Sequence, residues 1–217
     1  MRIIYIPKKS SIPLANSKYG LLYNWYAASD SRGFVSGWHL PSTSEQRTLA
    51  ISIGGQATAG KKLKESGYTH WNTPNTGTND YGFNARGSGI RSGSTFTQLN
   101  ERCYFASSTS ATKTSAMMYN LDSYYEGISD QINGQSIRLI CDSSTDPGFV
   151  DIDGKRYTTV KIGDQVWMAE NLQARHYSDG TPIPFHGTDN GDNFTNAEWE
   201  ALTTPGLCAY GNDLSNV

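Results

Sequence analysis

Residues Asp151 to Leu172, reading Asp-Ile-Asp-Gly-Lys-Arg-Tyr-Thr-Thr-Val-Lys-Ile-Gly-Asp-Gln-Val-Trp-Met-Ala-Glu-Asn-Leu, constrain the fold more than any other stretch. Asp153-Gly154 and Gly163-Asp164 supply the left-handed backbone positions that tight turns need. Tyr157, Val160, Ile162, Val166 and Trp167 supply β-branched and aromatic fill. The pattern predicts two short strands, Arg156–Ile162 and Gln165–Met168, forming a small sheet that opens a domain. Roughly 65 residues remain from where it opens, few for a second independent core. The stretch must therefore find its partners elsewhere in the chain.

Composition narrows the partners. With Gly at 22, Tyr at 13 and only 18% charged residues, the chain resembles a loop-rich extracellular-type module more than a cytosolic enzyme. A net charge of −2 gives no electrostatic footprint for nucleic acid or an anionic membrane. Cys103, Cys141 and Cys208 are too few for a disulfide scaffold and lack the paired spacing of a zinc site. They read as buried free thiols, or as one disulfide with an odd thiol left over.

Residues 1–18 form a lead-in arm. Ile3, Ile4, Tyr5 and Ile6 could add a strand to a sheet edge, with Pro7 and Pro13 limiting its length. Such an arm would anchor or oligomerise the protein, or pack on its own domain. Its short apolar run precedes the basic pair Lys8-Lys9, the reverse of a secretory signal, so synthesis in the cytoplasm is expected.

Further along, Tyr19–Ala28 reads as a buried strand. Ser42-Thr-Ser-Glu45 matches a capping box and predicts a helix through about Ile53, ended by Gly54-Gly55, with Leu49, Ile53 and Gln46 facing the core. From Gly60 to Gly93 the chain reads as long polar loops around an aromatic anchor, Trp71. Cys103–Ser108, Ser115–Leu121 and Gln135–Cys141 read as three strands of an antiparallel meander, which places Cys103 and Cys141 on neighbouring strands. Residues 142–148 are the best boundary by composition, and Asn196–Leu202 reads as a short helix capped by Asn196.

Several longer motifs carry a family resemblance. Asp151-Ile-Asp-Gly-Lys through Val166-Trp-Met-Ala-Glu-Asn-Leu172, Asp179-Gly-Thr-Pro-Ile-Pro184 and Trp199-Glu-Ala-Leu-Thr-Thr-Pro205 resemble the first half of the Fibrobacter succinogenes major paralogous domain. Tyr19-Gly-Leu-Leu-Tyr-Asn-Trp-Tyr-Ala27, Gly37-Trp-His-Leu-Pro-Ser42, His70-Trp-Asn-Thr-Pro-Asn-Thr-Gly77 and Ser136-Ile-Arg138 resemble its second half. The halves stand in inverted order, which implies a circular permutation: an arm over 1–18 and one domain over 19–217, with 19–145 as the family's second half and 149–217 as its first. The alternative is that 149–217 completes a neighbouring protomer.

The resemblance implies an α+β, C-type lectin-like domain with short twisted antiparallel strands, two helices and long ligand-facing loops. Two departures stand out: Phe34-Val-Ser36 and Ile137-Arg-Leu139 occupy positions where the family usually carries a cysteine pair. Loss of that bridge points to folding in a reducing compartment.

Chemical motifs are sparse. Asp151-Ile-Asp-Gly154 lacks the later ligands of a calcium loop and reads as a turn. Asp189-Asn-Gly-Asp-Asn193 has the oxygen donors for calcium, and turn-forming Asx residues explain it equally well. No other cofactor is expected. His39 has no acid beside it in sequence and reads as structural. Nothing near Cys103 or Cys141 would acidify a thiol, so enzymatic chemistry of the formylglycine-generating type is not expected.

Tyrosines fit a binding surface better, because they give rigid amphipathic contact area at low entropic cost. The candidate ligand residues are Tyr119, Asp122, Tyr124, Tyr125, Glu126 and Trp71, with Tyr104 beside them and Tyr124 and Tyr125 as the most exposed pair. The expected function is a non-enzymatic binding or decoration module. Its first setting is a homo-oligomeric bacteriophage head-fibre or decoration protein, held to capsid or tail proteins by the arm and contacting a host-surface glycan or protein. Its second is a bacterial surface or secreted adhesin.

Overall fold

Short apolar runs broken by glycine and Asx residues fold as short elements. The computed structural model describes residues 18–109, 113–118, 120–187 and 195–217. The calls on residues 1–17, on Tyr119 and on Asp189–Asn193 fall outside them.

The chain starts with β1 (Leu22–Tyr23) and turns at once into α1 (Trp25–Ala28), where a single buried strand was predicted. Asn24 is the cause. Its Oδ1 accepts from Ala27 N at 2.9 Å and from Gly206 N at 3.0 Å, an N-cap that the apolar pattern does not announce. After β2 (Trp38–His39) comes α2 (Thr43–Ser52), with the predicted Ser42–Glu45 capping box in place. Gln46, Leu49 and Ile53 are all buried, as their spacing requires. The next helix, α3 (Gln56–Leu63), takes in Gly60–Leu63, expected as loop; it buries Ala59, Gly60 and Leu63 on one face.

Five strands form the larger sheet: β3 (Ser88–Ser92), β4 (Thr95–Leu99), β5 (Arg102–Ala106), β6 (Lys113–Met118) and β7 (Tyr124–Ile128), in the order β4-β3-β5-β6-β7. Only the β3–β5 pairing is parallel. The third strand of the predicted meander is thus Tyr124–Ile128. Residues 135–139 make isolated bridges, Tyr23 to Gln135 and Phe105 to Ser136, before β8 (Ile140–Cys141). Cys141 therefore lies in a different sheet from Cys103, and all three cysteines are free and buried.

Beyond the exposed segment 142–148 lie β9 (Phe149–Val150), β10 (Arg156–Tyr157), β11 (Thr159–Ile162) and β12 (Gln165–Met168). Thr158 splits the predicted Arg156–Ile162 strand, and its N–H donates to Glu170 Oε1 instead of to the sheet. A second sheet runs β11-β12-β8-β2, with β12 pairing β8 across the segment 142–148. Then α4 (Asn196–Glu200), capped by Thr195 rather than Asn196, leads to β13 (Leu207–Cys208), which pairs β1. Asn196 is drawn away to accept from Arg91.

Among the described residues of this mixed α+β arrangement, no separate core follows residue 148. One buried cluster joins Leu21, Tyr23, Trp38 and Leu139 to Phe149, Tyr157, Val166 and Leu172, and another joins Leu49, Leu63, Trp71 and Phe105 to Ile162 and Trp167. Arg138, 2% exposed, ties the segments: Nε donates to Asn171 Oδ1, Nη1 to Phe83 O and Met168 O, and Nη2 to Asn84 O. A buried charge is tolerated only when it is hydrogen-bonded this fully.

Candidate binding face

Strand register decides which tyrosines reach solvent. Tyr104 stands opposite Ala116, which stands opposite Tyr125, so Tyr104 and Tyr125 point to one face of the sheet. Arg102, two residues before Tyr104, shares that face by the period-2 rule. Cys103, Phe105, Met117 and Tyr124 take the other face and are buried against α2 and α3.

On the outer face the side chains form two polar pairs. Arg102 Nη1 donates to Tyr104 OH at 3.2 Å, and Tyr104 OH donates in turn to Gln98 Oε1. Gln98 is held at φ 64°, left-handed backbone that non-glycine residues adopt at a cost of about 1–2 kcal/mol. Beside them Ser123 Oγ donates to Tyr125 OH at 3.1 Å, and Tyr125 is 40% exposed. Strand β7 is the sheet's edge, so this face borders an open strand. The arrangement offers two aromatic rings, several hydroxyl and amide groups and one guanidinium.

Of the expected residues that fall within the described structure, Tyr104 and Tyr125 stand on this face. Tyr124 is 3% exposed and Trp71 1%; the first packs under the helices, and the second donates from Nε1 to Ala85 O at 3.0 Å as a core anchor. The burial of Tyr124 overturns the expectation that Tyr124 and Tyr125 form the most exposed pair, because adjacent strand residues point to opposite faces. Glu126 points to the helix side, where it accepts from Arg47 Nε at 2.8 Å and from Gln56 Nε2 at 2.9 Å. Asp122 sits in the β6–β7 connection, its backbone O accepting from Lys61 N at 2.8 Å and its Oδ1 buried. Arg102, Gln98 and Ser123 were missed; alternation along Arg102-x-Tyr104 was the available signal for the first.

Support for the face comes from α3. Gly60 lies so close to the β6–β7 connection that a β-carbon there would stand 2.2 Å from Ser123 O. Lys64, fully buried, donates to Leu121 O and Thr76 Oγ1, each at 2.8 Å. Burial pulls its ammonium down to about 8, against the opposing pull of Cys103 and Asp122.

His39 does gain acids in space: Nε2 lies 2.8 Å from Glu45 Oε1 and Nδ1 2.5 Å from Asp142 Oδ1. Burial works against its charge, yet the two carboxylates outweigh it and raise the imidazole. Burial pushes the Cys103 thiol up to about 12 and the Cys208 thiol to about 11, the reverse of activation. Among the described residues no group of three or more His, Cys, Asp or Glu could hold a metal ion.

No curated protein and no solved structure matches the chain. The family model of the Fibrobacter succinogenes major domain matches residues 8–141, more than half of the 217 residues. That span contains β1 to β8, hence the five-stranded sheet and its tyrosine face. On this match the chain belongs to the Fibrobacter succinogenes major domain family.

Proposed function

We propose that the chain is a non-enzymatic surface-binding or decoration module that contacts a glycan or protein through the Tyr104–Tyr125 face. The observation that carries this reading is the register-aligned exposure of aromatic and hydrogen-bonding groups on one sheet face. Buried thiols with raised pKa values favour binding over thiol chemistry. A C-type lectin-like ligand face fits the same description.

The preferred setting is a bacteriophage virion, with residues 1–18 as anchor or oligomerisation arm. Three free cysteines, in place of the family's usual bridge, favour assembly in a reducing cytoplasm. A cell-surface or secreted bacterial adhesin is the second reading, since the same face would serve it. Mass spectrometry of purified particles against the producing cell's envelope separates the two.

Binding itself is tested on a glycan array and on intact bacterial cells. Tyr125→Ala and Tyr104→Ala are expected to weaken binding by about tenfold or more each, as loss of an aromatic anchor does, with the far-UV spectrum unchanged. Equal binding by wild type and both variants would reject the face.

A further inference from the structure

Arg102 keeps hydrogen-bonding capacity that the described residues of the face do not use. Of the five N–H groups of its guanidinium, one is used, from Nη1 to Tyr104 OH. Among the described residues no carboxylate pairs with it; the acids that pair are matched with Arg32, Arg47, Arg86, Lys155 or histidines. Glu126, on β7 two strands away, faces the helices and is held by Arg47. The side chain of Arg102, a residue of intermediate exposure, is also tethered: Nη1 is held by Tyr104, whose hydroxyl is in turn fixed by Gln98.

We infer that the ligand of this face is an anionic saccharide, whose carboxylate or sulfate takes the free N–H groups of Arg102 while a sugar ring lies against Tyr125. The inference rests on the binding reading above and narrows its ligand class. Three features converge on it. A planar guanidinium matches an oxyanion bidentately, which a lone lysine would not do. The Tyr125 ring offers an apolar surface for the C–H face of a sugar, with its hydroxyl paired to Ser123 at the rim. Half-burial lowers the screening that makes a fully exposed charge contact weak. A neutral saccharide would leave the guanidinium to water, and on a chain of net charge −2 the described residues of this face offer a nucleic acid one cation.

The test uses the full chain and three probes of equal length: a galacturonate tetrasaccharide, its neutral methyl ester, and a sulfated cellotetraose. Titration calorimetry is expected to give the acid or the sulfate about 10- to 100-fold tighter binding than the ester, the range of one charge-assisted contact. Arg102→Gln should erase that difference, Arg102→Lys should restore only part of it, and Tyr125→Ala should weaken every probe that binds. Preference for acid over sulfate, or the reverse, identifies the anion. Equal affinities for acid, sulfate and ester in the wild type, or an anion preference that survives in Arg102→Gln, overturns the inference and leaves the binding face standing. Failure of all probes, together with indifference of cell binding to Tyr125→Ala, overturns both. Near-ultraviolet spectra of each variant, matched to wild type, separate lost contact from lost fold.

Discussion

Lys64, Arg91 and Arg138 carry charge into the interior, each less than 2% or about 2% exposed. Arg91 lies over the Trp199 ring at 4.1 Å and donates to Asn196 and Asn212, while Arg138 serves four oxygens. Lys64 is the one that can give up its proton, since a guanidinium stays charged in proteins. Its folded value of about 8 lies below the unfolded 10.5, chiefly through burial. Below pH 8 both states hold the proton and the cost of the buried ammonium is fully present. Between pH 8 and 10.5 the unfolded chain binds more protons, so this group makes stability rise with pH. Urea unfolding should show wild type gaining on Lys64→Met by on the order of 2 kcal/mol between pH 7.5 and 10. A difference that stays flat with pH would refute this. Comparing variants removes most of the contribution of Cys103, whose raised thiol acts in the opposite direction and feels Lys64 only after burial, the Met117 carbonyl and Arg138. None of these three roles was legible from type alone: Arg138 stands in Ile137-Arg-Leu139 as any strand residue would, and only its neighbours make it a clamp. The same limit applies to Tyr124 and Tyr125, adjacent in sequence and opposite in fate.

Helix α3 and strand β7 show what elements add. Gly60 sits within α3 at ordinary helical φ, so intrinsic propensity favours Gly60→Ala by about 1 kcal/mol. The contact with Ser123 opposes it. A β-carbon 2.2 Å from a backbone oxygen forces α3 or the β6–β7 connection to move, at a cost of about 1–3 kcal/mol or more. Gly60→Ala is therefore expected to lower the thermal midpoint despite the better helix former, and to weaken binding through the displaced Ser123–Tyr125 pair. An unchanged or raised midpoint would show that the connection yields freely. Capping chemistry made α2 legible to within a residue or two, since Ser42 and Glu45 act within one turn. Strand β7 was not, because Tyr124-Tyr-Glu-Gly-Ile128 reads equally as a polar connection until β6 lies beside it.

Across the whole molecule the two parts of the chain interlock. Strand β12 lies between β11 and β8, β13 pairs β1, and Tyr19 N donates to Asn216 O at 3.1 Å. The circular permutation implied by the motifs thus has a direct test. A chain reading 149–217, a short glycine-serine joint, then 18–141 is expected to fold with the wild-type near-ultraviolet spectrum and a thermal midpoint within about 5 °C, since loop length costs little. A molten or aggregated product would overturn it, and a dimer with native spectrum would favour completion by a neighbouring protomer.

What the sequence determined by itself was local and strong in signal. The Gln165–Met168 strand, the α2 cap and the family motifs, whose resemblance implied the α+β class, each depend on residues a few positions apart. What the tertiary structure alone decided was parity and partnership. A tyrosine one position along a strand faces the core or the solvent according to register, and register is set by strands far away in sequence. The opening stretch Asp151–Leu172 is the clearest case: its own residues specify β10 to β12, but its place beside β8 follows from apolar faces that can be buried only against each other.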